Sequence, residues 1–442
     1  MDTYPSYKDS GVEWIGDIPS GWDLVKVKNL FTFSKGSGIS KKDIEKEGSS
    51  NCILYGELFT RFKNFNVIPD DFSKTNLKDK IVSNGNELLI PGSTTTTSVD
   101  LCNCKTLKHS GVQLGGDIII LKPRKSDIKN EFYSYYITTV TKPDFEMNGR
   151  GVTIHHIYPK QIREIYTPVP PLQEQQQISD YLDYKTLKID TLIEKTQQKI
   201  ELLKEQRTSL INTTVTKGLN PNVEMKDSRV EWIGEIPSEW EVVKLKFVGK
   251  VVIGLSYSPD NVVDEGEGTL VMRSTNVQNG KPSFHNNVYV NKDIPDRMVT
   301  REGDILICSR NGSRNLIGKN CIISKDIEGM TFGVFMTIFR SKYWKLIYWV
   351  LNSPVFKSQS GLYLTSTINQ LTVSTIKNLT IPFTFNEREQ QQIVDYLDKE
   401  TSRIDKLVDI ESKRIYLLKE YRQSLISEVV TGKVDVRDEV LV

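Results

Sequence analysis

The sequence predicts an α+β protein: two mixed α/β domains separated by two long antiparallel coiled-coil helices, built as an internal repeat about a pseudo-twofold axis. Three observations predict it. The stretch Asp9-Ser10-Gly11-Val12-Glu13-Trp14-Ile15-Gly16-Asp17-Ile18-Pro19-Ser20-Gly21-Trp22 returns, about 218 residues later, as Asp227-Ser228-Arg229-Val230-Glu231-Trp232-Ile233-Gly234-Glu235-Ile236-Pro237-Ser238-Glu239-Trp240. A second block, Glu174-Gln175-Gln176-Gln177-Ile178 followed by Leu202-Leu203-Lys204-Glu205-Gln206-Arg207, returns as Glu389-Gln390-Gln391-Gln392-Ile393 and Leu417-Leu418-Lys419-Glu420-Tyr421-Arg422. The segments between the matching blocks, roughly 25 to 165 and 245 to 380, share little beyond scattered Gly and Ile positions. A constant frame thus holds two variable inserts, and a repeat this long is a domain duplication, not a solenoid. The predicted order is domain 1–165, helix 166–222, domain 223–381 and helix 382–442.

The chain opens with a polar stretch from Met1 to Ser10, without an apolar run of signal-peptide length, and no later stretch approaches the ~20 apolar residues of a membrane helix. A cytoplasmic protein with no membrane partner is expected. The first insert then reads as strand and turn: Glu87-Leu88-Leu89-Ile90 and Asp117-Ile118-Ile119-Ile120-Leu121 are strand-length, β-branched and bounded by Gly, Pro or Asn. A helical piece is expected over 129–140.

The first long helix follows. Pro170-Pro171 before it and Gly218 after it mark a start and a stop, giving a helix from about 172 to 216. Leu182, Thr186, Ile189, Ile193, Thr196, Ile200, Leu203, Arg207 and Leu210 recur at alternating spacings of four and three, the seam of a coiled coil. At 1.5 Å per residue the helix spans roughly 65 Å.

The second insert repeats the plan, with strands at Asp304-Ile305-Leu306-Ile307 and Phe335-Met336-Thr337-Ile338-Phe339 and a helical piece at 343–352. The second long helix keeps the register of the first through Leu397, Thr401, Ile404, Val408, Glu411, Ile415, Leu418, Arg422 and Leu425, with polar residues interrupting both seams at the same places. Polar seam residues cost stability and fix register, so each helix is the natural partner of the other. Its start is less sharply marked, because Pro382-Phe383-Thr384-Phe385-Asn386-Glu387 stands where the first copy has a proline pair. Lys217-Gly218-Leu219-Asn220-Pro221 links the first helix to Lys226-Asp227-Ser228, whereas the end of the second, Thr431-Gly432-Lys433, has only the N-terminal Lys8-Asp9-Ser10 to meet. The chain reads as a ring cut once.

Composition narrows the function. At 442 residues, 38% apolar and 26% charged, the chain is ordinary globular protein, and its net charge of +2 does not by itself announce a nucleic-acid partner. Cys52, Cys102, Cys104, Cys308 and Cys321 are odd in number and form no CxxC pair, as expected of buried thiols. Three polar loops, each recurring in both inserts, carry side chains suited to base edges and phosphates. In the first insert they supply Arg61 and Lys63, then Ser93, Thr94 and Thr95, then Arg150. In the second they supply Arg273 and Asn276, then Arg310, Asn311, Ser313 and Arg314, then Thr367 and Asn369. Thr60–Lys63 aligns loosely with Arg273–Asn276, and the loop after Ile90 with the loop after Ile307.

Catalytic constellations are missing. Val169-Pro170-Pro171-Leu172 does not meet the aminomethylation signature of an Asp or Asn, two prolines and an aromatic. Gly312 to Asn320 departs from a phosphate loop in its glycine spacing and in having Asn320 where Ser or Thr would hold Mg²⁺. His155 and His156 are adjacent, so on a strand they point oppositely, and no acidic cluster lies near them. No metal, nucleotide or other cofactor site is expected in this chain, which reads as a recognition protein without chemistry of its own.

Val12-Glu13-Trp14-Ile15-Gly16-Asp17-Ile18-Pro19 with Trp22, the copy at 230–240, Leu54-Tyr55-Gly56-Glu57-Leu58, and Pro170-Pro171-Leu172-Gln173-Glu174-Gln175 leading to Tyr181-Leu182-Asp183 resemble the specificity subunits of type I restriction-modification enzymes. The likeness covers essentially the whole chain; the frame is specific to that family, and the inserts match only as a type. The resemblance implies two target recognition domains, each reading one half of a bipartite sequence in double-stranded DNA. It also implies two modification subunits that methylate adenine with S-adenosylmethionine, and restriction subunits that use ATP and Mg²⁺ to translocate and cut. Leu192 and Leu407, on the outer faces of the helices, are candidate docking points for those subunits, which the weakly charged chain is expected to need for tight DNA binding. Two other classes stay open on the residues: a scaffold whose inserts bind protein, and a self-contained methyltransferase or nuclease.

Overall fold

The computed structural model describes residues 2–78, 81–362 and 369–439. They form two compact units: residues 1–196 with 413–442, and residues 197–412. Two long helices, α1 (Leu172–Lys217) and α2 (Glu387–Val430), are each shared between the units and do not stand apart as separate modules. The uncertain start of α2 is settled by Asn386, whose side-chain oxygen accepts the amides of Arg388 (3.1 Å) and Glu389 (3.2 Å). An N-cap replaces the proline pair.

In unit 1 a four-stranded antiparallel sheet runs in the order Lys105–Leu107, Glu87–Pro91, Ile118–Pro123, Phe31–Lys35. The apolar runs of its middle strands are continuous because both faces are buried. Leu88, Ile90, Ile119 and Leu121 enter a core with Phe132, Tyr133 and Tyr136 of the helix Asn130–Thr139, Trp22, Ile178 and Leu182 of α1, and Leu425 and Val429 of α2. The alternate residues Leu89, Ile118 and Ile120 enter a second core with Ile53, Leu58, Phe62 and Leu114. That second core is closed by a smaller mixed sheet, in which Ser50–Ile53 pairs in parallel with Ser110–Leu114. Each of these side chains contributes about 1.5–3 kcal/mol by leaving water.

Unit 2 repeats this plan. Its antiparallel sheet runs Lys250–Ile253, Met336–Arg340, Ile305–Cys308, Asn320–Ile322. Ile305, Ile307 and Phe339 face the helix Trp344–Leu351 and the long helices, and Leu306, Cys308 and Ile338 face the other core. The parallel pair is Thr269–Met272 with Thr331–Phe332. Some of the glycines shared between the otherwise dissimilar inserts mark a close approach. A Cβ on Gly36 would lie 2.0 Å from the Gly115 carbonyl oxygen, and one on Gly254 would lie 2.2 Å from that of Gly333. No side chain fits at either crossing.

The polar seam residues tie the helices together. In unit 1, Arg422 makes a two-pronged pair with Asp190 (2.9 and 3.1 Å), and Gln177 Nε2 donates to the carbonyl of Arg437. In unit 2, Arg207 pairs with Asp405 (2.8 and 3.3 Å), and Lys199 pairs with Glu411. In unit 2 the partner's number falls as the first number rises, so the helices run antiparallel there. Thr186 and Thr401 satisfy their hydroxyls on the carbonyls of Leu182 and Leu397.

The closure of the frame is also repeated. In unit 2 the indole of Trp240 donates to Glu389 (3.0 Å) and its ring packs on Gly218, where α1 ends. In unit 1 Trp22 donates to Glu174 (3.1 Å) and packs on Gly432, beyond the end of α2. Asp2 and Asp435 form a β-bridge there, so the two ends of the chain meet where unit 2 has a continuous link. Neighbouring termini permit circular permutation. A permutant opened between Asn220 and Pro221, with residues 1 and 442 joined, is expected to fold and to melt within about 5 °C of the original, as the shared contacts dictate; failure to fold contradicts the ring.

One buried acid makes unit 1 sensitive to pH. Burial pushes the Asp144 carboxyl from 3.8 up to about 6, against the Trp14 indole (3.0 Å), which holds it down. A carboxyl raised in the folded state contributes stability below its unfolded value and loses it as pH rises through the folded one. Asp144→Asn, which keeps an acceptor for Trp14, is expected to raise the melting temperature near pH 8 and to leave it unchanged near pH 4. Equal shifts at both values contradict the assignment.

Candidate nucleic-acid interface

Two of the loops that the sequence singles out meet at one edge of each unit, Ser93–Thr94 with the Arg150 loop in unit 1 and Arg310–Asn311 with the Asn369 loop in unit 2, and the backbone hydrogen bonds there place the two edges in correspondence. In unit 2 the amide of Leu371 donates to Ser309 O (2.8 Å), Arg310 bridges to Gln370, and the amide of Asn311 donates to Asn369 O (3.3 Å). In unit 1 the amide of Ile157 donates to Gly92 O (3.0 Å), and Ser93–Thr94 pairs with His155–His156. Ser93, Thr94, His155 and His156 are therefore the counterparts of Arg310, Asn311, Asn369 and Gln370. The Gly36 and Gly254 crossings extend the match and make Asp117 the counterpart of Phe335 and Ile39 the counterpart of Tyr257.

In unit 2 this edge borders a cleft of 1120 Å³ whose lining includes Tyr257, Arg273, Ser274, Thr275, Arg310, Asn311, Phe335 and Asn369. Among the described residues no carboxylate lines it. The Arg310 guanidinium lies 5.0 Å from the centre of the exposed Phe335 ring. Arg273 donates through Nη2 to the carbonyl of Asn286, and its buried Nε has no partner among the described residues. Asn311 donates to Ser274 (2.9 Å), and Asn369 donates to Gly312 O (3.1 Å). Two guanidiniums, amides that both donate and accept, and two aromatic rings without opposing negative charge form a surface able to hold a polyanion and fork to base edges.

The remaining candidates divide. Ser313 and Arg314 stand exposed beyond the cleft, Ser313 on the Asn311 side chain (2.9 Å) and Arg314 reaching Gly361 O (3.3 Å). Asn276 is fully buried and holds its own turn, accepting the Arg273 amide and donating to Ser283 O (2.9 Å each). It has no face to offer a ligand. Thr367 lies outside the described residues. In unit 1, Arg150 and Thr95 are exposed, but Ser93 and Thr94 are buried, with Ser93 held by Asp117 (3.1 Å) and Thr94 by Thr96 (2.7 Å). Both faces of this two-residue strand are covered.

Arg61 is bound to Glu57, Asp71 and Ser73, so its charge is already neutralised, and the neighbouring Asp71 raises its pKa. Lys63 is exposed beside it, its carbonyl accepting from buried Lys105 (3.0 Å). The loose alignment of this loop with Arg273–Asn276 is corrected by the turn geometry. Glu57 accepts the Leu54 amide (2.8 Å) as Asn276 accepts that of Arg273, so Leu54–Glu57 is the true counterpart. Leu192 and Leu407 are half-buried, and the exposed apolar residues of the long helices include Leu187 and Leu202 of α1 and Ile410, Tyr416, Leu417 and Tyr421 of α2.

Several edge residues escape a reading by composition: Tyr257 and Phe335 in unit 2, and His155, His156 and Tyr158 in unit 1, where His156 stacks on Tyr158 and Lys35 lies 5.6 Å from that ring's centre. The adjacent histidines were the available signal, because each flanks the Arg150 loop. All five cysteines are free and buried, and burial raises the thiols. Among the described residues no His, Cys, Asp or Glu group has metal-binding geometry, and no helix is long and apolar enough to cross a membrane.

The model of the type I restriction modification DNA specificity domain matches the chain twice, over residues 19–202 and 237–420. The chain is similar to the type I restriction enzyme MjaVIII specificity subunit of Methanocaldococcus jannaschii, 27% identical over 435 residues and 95% of each chain. It is also similar to the EcoKI specificity subunit of Escherichia coli, 24% identical over 45% of this chain and 44% of that one. Among solved structures, a chain from a study of assembly and conformational transition in a type I restriction-modification system matches with a TM-score of 0.68 at 16% identity, over 94% of this chain and 99% of that one. The HsdS subunit of Thermoanaerobacter tengcongensis matches with a TM-score of 0.51 at 16% identity, over 94% and 98%.

Proposed function

Because the chain belongs to the type I restriction-modification DNA specificity family, as its non-catalytic, DNA-recognising subunit, we propose that each unit reads one half of a bipartite double-stranded target through the edge described above. The observation that carries this reading is the correspondence of the two edges: one backbone ladder, used twice, presents different side chains. A scaffold of constant geometry with interchangeable side chains suits two different half-sites.

In unit 2, Arg273 and Arg310 are positioned to fork to guanine or clamp phosphate, and Asn311 and Asn369 to pair with adenine. The aromatic rings of Tyr257 and Phe335 offer stacking or methyl contact. In unit 1, His155 takes the place of Asn369, and the exposed Thr95, Arg150 and Tyr158 lie beside it along the same edge. Phosphate contacts by these cations make binding salt-dependent, with log K falling by about 0.9 per contact for each tenfold rise in salt.

The chemistry is assigned to partners: two modification subunits carrying S-adenosylmethionine, and restriction subunits using ATP and Mg²⁺, in the cytoplasm. The exposed Leu187, Leu202, Ile410, Tyr416 and Leu417 are better placed to dock them than Leu192 and Leu407. The reading is tested by mapping N6-methyladenine in cells with and without this gene. Loss of methylation at one bipartite motif is expected; an unchanged map favours a protein-binding scaffold instead.

A further inference from the structure

In unit 1 the segment between Arg150 and His156 is a tight hairpin, closed by reciprocal bonds from the Arg150 amide to His156 O (3.0 Å) and from the His156 amide to Arg150 O (2.8 Å). Its shape is enforced by two glycines. A Cβ on Gly151, whose φ is +123°, would lie 1.9 Å from the Ile154 carbonyl oxygen, and one on Gly149 would lie 2.5 Å from Ser98 Cβ. The outgoing arm is fixed on Ser93–Thr94 through His155 and His156, at the edge described above. This held turn presents Val152 at 97% exposure and Ile154 at 45%, beside the exposed Arg150.

Single exposed apolar residues are common. A tip whose geometry excludes other residues at Gly151, flanked by a cation and continuous with the candidate recognition edge, is a different case. The Val152 side chain has no hydrogen-bonding group, so it senses a base only through apolar surface, and in a DNA groove that surface is the 5-methyl of thymine. Arg150, two residues earlier, supplies the phosphate contact that would hold the tip in place.

We propose that the hairpin 149–155 inserts its tip into the DNA groove and that Val152 is a specificity-determining residue, reading a thymine in the half-site of unit 1 by contact with its methyl group. The inference rests on the DNA-reading function proposed above. Its test uses the full chain assembled with its modification subunits and short duplexes carrying the mapped motif. Each base pair of the half-site assigned to unit 1 is first permuted; then each thymine is replaced in turn by deoxyuridine, and binding is measured for the original chain and for Val152→Ala.

One deoxyuridine is expected to weaken the original chain about fourfold, the effect of one buried methyl-sized group. Val152→Ala is expected to bind the thymine duplex correspondingly less well and to be indifferent to the replacement. Tight binding of every deoxyuridine duplex overturns the proposal, as does Val152→Ala retaining the discrimination. A Val152→Ala chain that assembles poorly with its partners yet discriminates bases normally also overturns it, and marks the tip as a protein contact. If permuting the base pairs has no effect at all, the reading of unit 1 as a DNA reader fails separately.

Discussion

With Arg273 and Arg310 both replaced by alanine, the assembled protein is expected to bind its target at least ~30-fold more weakly, and one half of the recognised sequence is expected to become degenerate. Each good fork to a base contributes about 1–3 kcal/mol of discrimination, so two of them set that lower bound. Neither guanidinium supports the core. Arg310 rests on the exposed face of Phe335, and Arg273 spans the cleft wall to the carbonyl of Asn286, so the melting temperature should change little. The salt dependence separates two roles. Arginines that read bases leave weaker binding to the cognate sequence and little change elsewhere, whereas arginines on phosphates weaken all sequences alike and lower the salt slope by about 2. Titration of cognate and scrambled duplexes at several salt concentrations decides between them.

Arg340→Leu is expected to lower the stability of unit 2 by about 3 kcal/mol, the usual cost of stranding one member of a buried ion pair. Asp304 is only 1% exposed, and its two oxygens accept Arg340 Nε and Nη2, each at 2.7 Å. Removing the cation leaves a buried carboxylate with the Arg301 amide (2.8 Å) as its remaining hydrogen-bond partner. The corresponding pair in unit 1, Lys122 with Glu87, is longer at 3.6 Å, and Glu87 also accepts the amides of Asn84, Gly85 and Asn86. Lys122→Met should therefore cost under about 1 kcal/mol. Hydrogen exchange of the strands Ile305–Cys308 and Glu87–Pro91 compares the two, and equal losses contradict the account. Adding Asp304→Leu to Arg340→Leu should recover part of the stability, since two apolar side chains leave no uncompensated charge.

The frame was legible in the sequence because its signals are local. Prolines and glycines bound α1, the four-and-three seam reports the coiled coil, and matching polar breaks such as Arg207 and Arg422 foretell the antiparallel ties to Asp405 and Asp190. The two-sided burial of Leu88–Ile90 and Ile305–Ile307 is likewise written in continuous apolar runs. The candidate recognition edge was legible only in part. Loop composition finds Arg310, Asn311 and Arg150, but it does not report which side of a strand a hydroxyl faces, and Thr94 turns inward. It also misses alignments carried by hydrogen bonding alone. Glu57 and Asn276 hold equivalent turns with different side chains, so side-chain likeness drew Arg61 toward Arg273 when the backbone pairs Leu54 with it. The adjacent histidines stand out in the sequence, but the place of His155 at the edge is given by its pairing with Thr94.

The division of one DNA target between two units is tested most directly by mapping N6-methyladenine in cells that carry either the original chain or the chain with Arg273→Ala and Arg310→Ala. One half of the bipartite motif should lose its sequence requirement while the other half is kept unchanged. Simultaneous relaxation of both halves, or an unaltered motif at full methylation, contradicts the assignment of one half-site to the cleft of unit 2.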